Sequence, residues 1–338
     1  MRPSPGDPIM HVYKLQAQTV DEKEIERTAF ERDTRKLEPW YQVTDDKQRE
    51  YAVCPACDNP IRLVGLYEEL PHTDRPYGRH TGKPVTGFDY FNADNFEWCP
   101  YVRKNQSKGS SRKRGMEGIS LKILGIVLTQ FDRVIYIIRK ETGIWISPQI
   151  ALAMLENWIE AEGYRFHDAT LRNIPWMFAY RSKGLSIFGQ KISKGQDELR
   201  QAIIEGIPHA RFDENGRITK GDQFYEVTWC FVDYRRKTED DSLIEMVEFE
   251  VCDGDRNVVF AKTITFDPRY FANLINYSNP DKREPHLIAK AKEVYDRKFG
   301  ADFTRSLVNL VGGFDATLPE SIRAEMMPGG SPTGSSGQ

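Results

Sequence analysis

The spacing of apolar residues divides the chain into helical and extended stretches. Leu121, Leu124, Leu128, Phe131, Ile135 and Ile138 recur at steps of three and four, which places them on one face of a helix. Ile123, Ile126, Val127, Val134 and Ile137 widen that face, so burial on more than one side is expected. One helix is predicted to run to Gly143, which stops it. Ser147 then caps a second helix whose first position is Pro148. That helix runs to about Glu162, with Leu152, Leu155 and Ile159 inward. Shorter helices are expected over Gln196 to Glu205 and within Val20 to Leu37, and a longer one carries Leu287, Ile288, Ala291, Val294, Tyr295 and Phe299.

Between these lies a block with period two. Phe224 to Val232 is rich in β-branched and aromatic residues. Leu243 to Cys252 puts Val247, Phe249 and Val251 on one face and Glu248 and Glu250 on the other. Val258 to Phe266 alternates again after the Asp253-Gly254 turn signal. Three strands with short connections predict an antiparallel meander with one wet face. The dense run Asn173 to Tyr180 reads as core between the helical and β regions.

The expected fold is α+β. A small zinc-ribbon-like N-terminal module precedes a larger domain of helices and an antiparallel β meander. The predicted organisation is a polar segment over 1–50, a metal-binding module over 51–102, a basic linker over 103–117, a helical region over 118–215, β structure with C-terminal helices over 216–326, and a flexible tail over 327–338. Length fits about two domains, at 338 residues. The longest charge-free stretch of the most apolar region, Ile123 to Phe131, is nine residues. A membrane span needs roughly 20. The proline-rich N-terminus lacks the apolar core of a secretion signal. A cytoplasmic location, bacterial or viral, is expected.

Five cysteines, Cys54, Cys57, Cys99, Cys230 and Cys252, do not suggest a disulfide framework in an unsecreted chain. Cys54-Pro55-Ala56-Cys57 is a knuckle whose two thiolates can reach one tetrahedral ion. Cys99 is the third expected ligand. His72 and His80 lie between; His80, in a Gly-flanked turn, is preferred as the fourth. A structural Zn2+ held by Cys54, Cys57, His80 and Cys99 would support a segment too small and too rich in Gly and Pro to be secure unaided. The order of knuckle, Gly-His turn and late Cys-Pro resembles, over about 50 residues, the zinc-ribbon-like segment of some bacterial competence-type proteins. There the resemblance would imply a following nuclease domain with a Glu-x-Lys motif. Glu248-Phe249-Glu250 lacks that lysine, so membership does not follow.

Net charge is -3, so any nucleic-acid surface must be local. The candidate is Arg103, Lys104, Lys108, Arg112, Lys113 and Arg114, six cations in twelve residues without an acid. His167-Asp168 reads as a surface loop, Cys230 and Cys252 as buried small hydrophobes, and Glu239-Asp240-Asp241 as a solvated hairpin turn. No phosphate loop, G-x-S-x-G elbow or HExxH motif is present. The expectation is a zinc-containing accessory or regulatory protein that binds DNA or RNA. A metal-dependent nuclease and a zinc-stabilised protein-interaction subunit are the rivals, and binding is favoured over catalysis.

Overall fold

The computed structural model describes residues 8–326, apart from positions 18, 45, 72, 74, 103–112, 220–222 and 278–281. The tail over 327–338, His72, Arg103, Lys104, Lys108 and Arg112 lie outside the described residues.

The chain starts with a small ribbon, β1 (Val12–Tyr13) against β2 (Lys23–Glu24), followed by α1 (Arg27–Thr34). Of the helix expected within Val20 to Leu37 only this central part forms, because Lys23 and Glu24 are spent on the ribbon. Next comes an antiparallel sheet of β3 (Tyr41–Thr44), β4 (Lys47–Val53), β5 (Pro60–Val64) and β6 (Tyr77–His80), in that order. β4 runs across residue 50, so the polar N-terminal segment and the cysteine-bearing segment share one sheet. Short α2 (Ala93–Glu97) follows.

The long helix expected up to Gly143 is two helices, α3 (Ile119–Thr129) and α4 (Phe131–Thr142). Gln130 interrupts them with φ -123° and ψ 23°. The apolar period continues across the break because both helices face one core. The break also seats two buried charges that a continuous apolar face would not predict. Asp132 pairs with Arg283 at 2.8 Å, and Arg133 with Asp315 at 2.6 Å. Gly143 ends α4 in the left-handed region, φ 72°.

β7 (Ile144–Trp145) leads to α5 (Pro148–Glu160), capped by Ser147. α6 (Ile174–Arg181), β8 (Leu185–Ser186), β9 (Lys191–Ile192), α7 (Asp197–Gly206), β10 (Arg211–Phe212) and β11 (Ile218–Thr219) follow. α6 is buried along Ile174 to Ala179, the core position expected of that run.

The meander is β12 (Val227–Glu239), β13 (Ser242–Asp253) and β14 (Val258–Thr265), with β8 on the far edge of β12. Asp240 and Asp241 form its two-residue turn, with φ 48° and 59°. Both central residues at positive φ match the twist of a tight hairpin, so the acidic run is a turn. Helices α8 (Pro268–Asn276), α9 (Pro285–Phe299), α10 (Ala301–Leu310) and α11 (Glu320–Met326) follow among the described residues. The architecture is mixed helix and antiparallel sheet. One apolar core runs without interruption from Met10 through Ile61, Leu124, Trp158 and Phe249 to Val308. Among the described residues no helix is long and apolar enough to cross a membrane.

Candidate metal centre

The hairpin between β4 and β5 builds the first half of the site. Cys54 leaves β4, Asp58 turns the chain at φ 62°, and Asn59 returns it to β5. The Cys54 amide donates to the Asn59 carbonyl at 2.9 Å, and the Asp58 amide to the Cys54 carbonyl at 3.1 Å. This tight loop aims Cys54 and Cys57 to the same side. His80 ends β6 in register with Ile61 of β5, beside the hairpin. Cys99 arrives from α2. Asn92 caps that helix by accepting from the Asn95 amide at 2.8 Å, while its own amide donates to Asn59 Oδ1 at 2.7 Å. One asparagine thus fixes the distance between the two halves.

The four donor atoms lie within 4.8 Å of one another. Cys54, Cys57 and Cys99 are buried and His80 is half-buried. Cys54 Sγ and Cys99 Sγ are 3.8 Å apart. Tetrahedral coordination with metal–sulfur bonds of about 2.3 Å sets that edge at about 3.8 Å. Cys57 Sγ and His80 Nε2 are closer, 3.1 Å, a hydrogen-bond distance that lengthens to about 3.6 Å around a tetrahedral ion. Asn59 Nδ2 stands 3.5 Å from Cys57 Sγ and supports it from outside the cluster.

The protonation pattern is that of donors held together. Burial opposes a Cys54 thiolate, but hydrogen bonds from Cys57 and Cys99 and the charge of His80 outweigh it and hold Cys54 well below the usual thiol range. Burial and the neighbouring Cys54 push Cys57 up, and burial with both neighbours pushes Cys99 well up. Burial works against an imidazolium at His80, yet Cys57 and Cys54 together push it up to about 10. With four protein donors the cluster can hold a metal ion and leaves it no open position, the arrangement of a structural site.

Behind the knuckle lies a feature the sequence does not announce. Asp58 is fully buried and pairs with both Lys14 and Lys122. Lys14 also donates to the Thr19 carbonyl at 2.8 Å, and Lys122 to the Ala17 carbonyl at 2.7 Å. The pairing ties the knuckle to the N-terminal ribbon and to α3. On the other side, the Leu171 amide donates to the Ala56 carbonyl.

His167 and Asp168, expected on the surface, are buried in the loop that meets the knuckle, at 6% and 5% exposure. The His167 ring packs on Trp98 at 4.4 Å, next to Cys99, and Asp168 pairs with Arg181. A loop following a helix reads as exposed when nothing in the sequence shows that another segment docks on it.

Of the cations of the basic segment, only Lys113 and Arg114 lie among the described residues. Lys113 donates to the Ala161 carbonyl and to Glu162, each at 3.0 Å. Arg114 is buried and donates to the carbonyls of Phe166 and Ala169. Both fasten the start of the helical region, and a buried guanidinium cannot meet an external phosphate.

A second cluster gathers Cys230, Glu250 and Cys252. Cys252 is buried as expected, but Cys230 is half-buried. Burial, with Cys252 and Glu250 beside it, pushes the Cys230 thiol up to about 11.

Cations that sequence reading passes over stand on the N-terminal sheet. The register aligns Tyr51, Arg62 and Arg79 in one row across β4, β5 and β6. Lys47 and Arg49 lie at alternate positions of β4 and so share that face. The signal is present as alternation in strands of four to seven residues, which becomes visible only once the strands are paired. Comparison of the chain with protein-family models, with curated proteins and with solved structures gives no match.

Proposed function

We propose that this chain is a zinc-stabilised, zinc-ribbon-like protein that binds single-stranded nucleic acid in an accessory or regulatory role. Three thiolates and one imidazole in tetrahedral reach suit Zn2+ above the harder divalent ions. The metal locks the hairpin that carries the sheet, and the sheet presents the binding face.

The observation that carries the reading is the row of cations. Arg62 and Arg79 are exposed and directly opposite one another in register. Like charges so placed destabilise a sheet, and a bound phosphate removes the repulsion. Among the described residues of β4, β5 and β6, no Asp or Glu occupies that face. A groove of about 880 Å³ adjoins it, with Lys47, Arg49 and Arg62 in its wall beside Glu50 and Glu68.

Aromatic side chains continue the same face. Tyr51, in the row with the two arginines, meets Phe88 at 6.4 Å. Phe88, Trp40 and Tyr90 line a pocket of about 540 Å³. Cations beside aromatic walls suit a strand whose phosphates follow the charges while unstacked bases enter the pocket. A duplex keeps its bases stacked and offers the pocket nothing.

Fluorescence anisotropy titration of single-stranded and duplex oligonucleotides tests this. With Lys47, Arg49, Arg62 and Arg79 engaged, single-strand affinity falls about 50-fold from 50 to 200 mM salt, at about -0.7 in log–log slope per contact. Duplex binds more weakly. Absence of single-strand binding at 50 mM salt, or binding insensitive to salt, overturns the reading in favour of a protein partner.

A further inference from the structure

The meander carries a cluster with the chemistry of a second metal site, independent of the function proposed above. β12 and β13 pair so that Cys230 faces Glu250 directly, and Cys252 stands two residues further along β13. Residues two apart on a strand share a face, so the three side chains form a triangle on one side of the sheet. The core side of the same strands holds Trp229, Phe231, Phe249 and Val251. The triangle therefore lies on the outer face, with Cys252 buried and Cys230 and Glu250 half-buried.

Two observations point to a cation. The two Sγ atoms and a carboxylate oxygen lie within 4.8 Å of one another, with Cys230 Sγ and Glu250 Oε2 at 3.9 Å. Next, Glu250 lacks what its neighbour has. Glu248 on the same face is met by Arg235 and by the Thr263 hydroxyl. Glu250 has no cationic partner among the described residues, and its carboxylate stands 3.9 Å from the Cys230 thiol. The Gly184 backbone, just before β8, packs closely on this flank: a Cβ there would come within 3.0 Å of the Trp229 carbonyl and 3.5 Å of Cys230 Cβ.

We propose that Cys230, Glu250 and Cys252 bind one thiophilic divalent ion, of the zinc class, and leave its fourth position open to solvent or to a ligand. Two thiolates and a carboxylate supply three of the four corners of a tetrahedron, the donor count of sites that keep an exchangeable position. The donors contract by about 1 Å to reach bonding edges, a movement within the freedom of half-buried side chains. On binding, the two thiols release their protons to solvent. The outer face of the sheet then carries an electrophilic centre, whereas the Cys54 cluster encloses its ion.

Titration of the reduced full chain with Co2+, followed by thiolate-to-cobalt absorption and by metal content after desalting, tests the proposal. The expected result is two equivalents per chain, the second weaker. Cys230→Ser and Cys252→Ser each abolish the second equivalent and keep the first. Glu250→Gln weakens the second at least tenfold. Cys99→Ser removes the other equivalent, so the two sites are read separately. Metal bound at the second site also protects Cys230 and Cys252 from alkylation. One equivalent only, or a second that survives both serine variants, overturns the proposal.

Discussion

Two clusters of cysteine in one chain are built in opposite ways. The first sits in loops at the ends of short strands, is enclosed by α2 and the loop carrying His167, and gathers four donors. The second sits in the body of strands of 13 and 12 residues and gathers three. The difference follows from what each sheet has to hold it. The meander rests on an aromatic core of Trp229, Phe231 and Phe249. The N-terminal sheet has shorter strands; it rests on rings of its own, Phe30 against Tyr13 and Tyr41, and adds a buried ion triplet, Lys14–Asp58–Lys122. A sheet of long strands carries its cysteines along the body of the strands as an open site, while a sheet of short strands gathers them at its loop ends as a clasp.

Removing the clasp gives the largest effect. Cys99→Ser withdraws support of about 10 kcal/mol from the N-terminal sheet. Amide exchange in β3 to β6 accelerates to near the unfolded rate, while β12 to β14 stay protected. Cys252→Ser leaves both sheets protected. Equal loss of protection in the two sheets would break the comparison.

The ion triplet comes next. Asp58→Ala leaves two lysines buried without their anion, at a cost of about 3–5 kcal/mol. Glu250→Ala, on the open face, changes metal-free stability by less than about 0.5 kcal/mol. Urea denaturation of the two variants measures the contrast.

Acidity loosens the enclosed metal. In the metal-free cluster His80 is pushed up to about 10, and Cys57 and Cys99 are pushed up as well. At neutral pH these three groups carry protons that the ion must displace. More than one proton leaves per ion, so affinity drops by more than tenfold for each pH unit lowered below neutrality. Competition with a chromogenic chelator between pH 6 and 8, a window set by where these groups hold their protons, measures the slope. A pH-independent affinity would mean that the donors are already deprotonated.

The smallest effect on folding is the largest on binding. Arg62→Ser with Arg79→Ser reduces the single-strand salt slope by about 1.4. It also stabilises the sheet by about 0.5 kcal/mol, because two opposed like charges are gone. Lys113→Ser leaves the slope unchanged.

The contrast between the sheets also explains what can be read from the sequence. The helix starting at Pro148 is legible because Ser147 and Pro148 mark its start and apolar spacing carries it. The meander is legible because long strands give the period of two enough repeats. The N-terminal sheet is not, since four to seven residues interrupted by Arg49, Arg62 and Arg79 give too few. The break at Gln130 is hidden because the apolar period does not change across it. At the metal centre the donors Cys54, Cys57, His80 and Cys99 announce themselves by residue type. Asp58 does not, because an aspartate in a turn is ordinary until two distant lysines are found against it. The burial of His167 depends on a docking that local pattern does not encode.

The central claim is that the four-donor cluster is a closed zinc site that holds the N-terminal sheet. The most direct measurement is metal content of the purified Cys230→Ser, Cys252→Ser double variant, with and without Cys99→Ser. The account predicts one tightly held zinc per chain in the double variant and none once Cys99 is replaced. A double variant free of metal, or zinc that persists without Cys99, would contradict it.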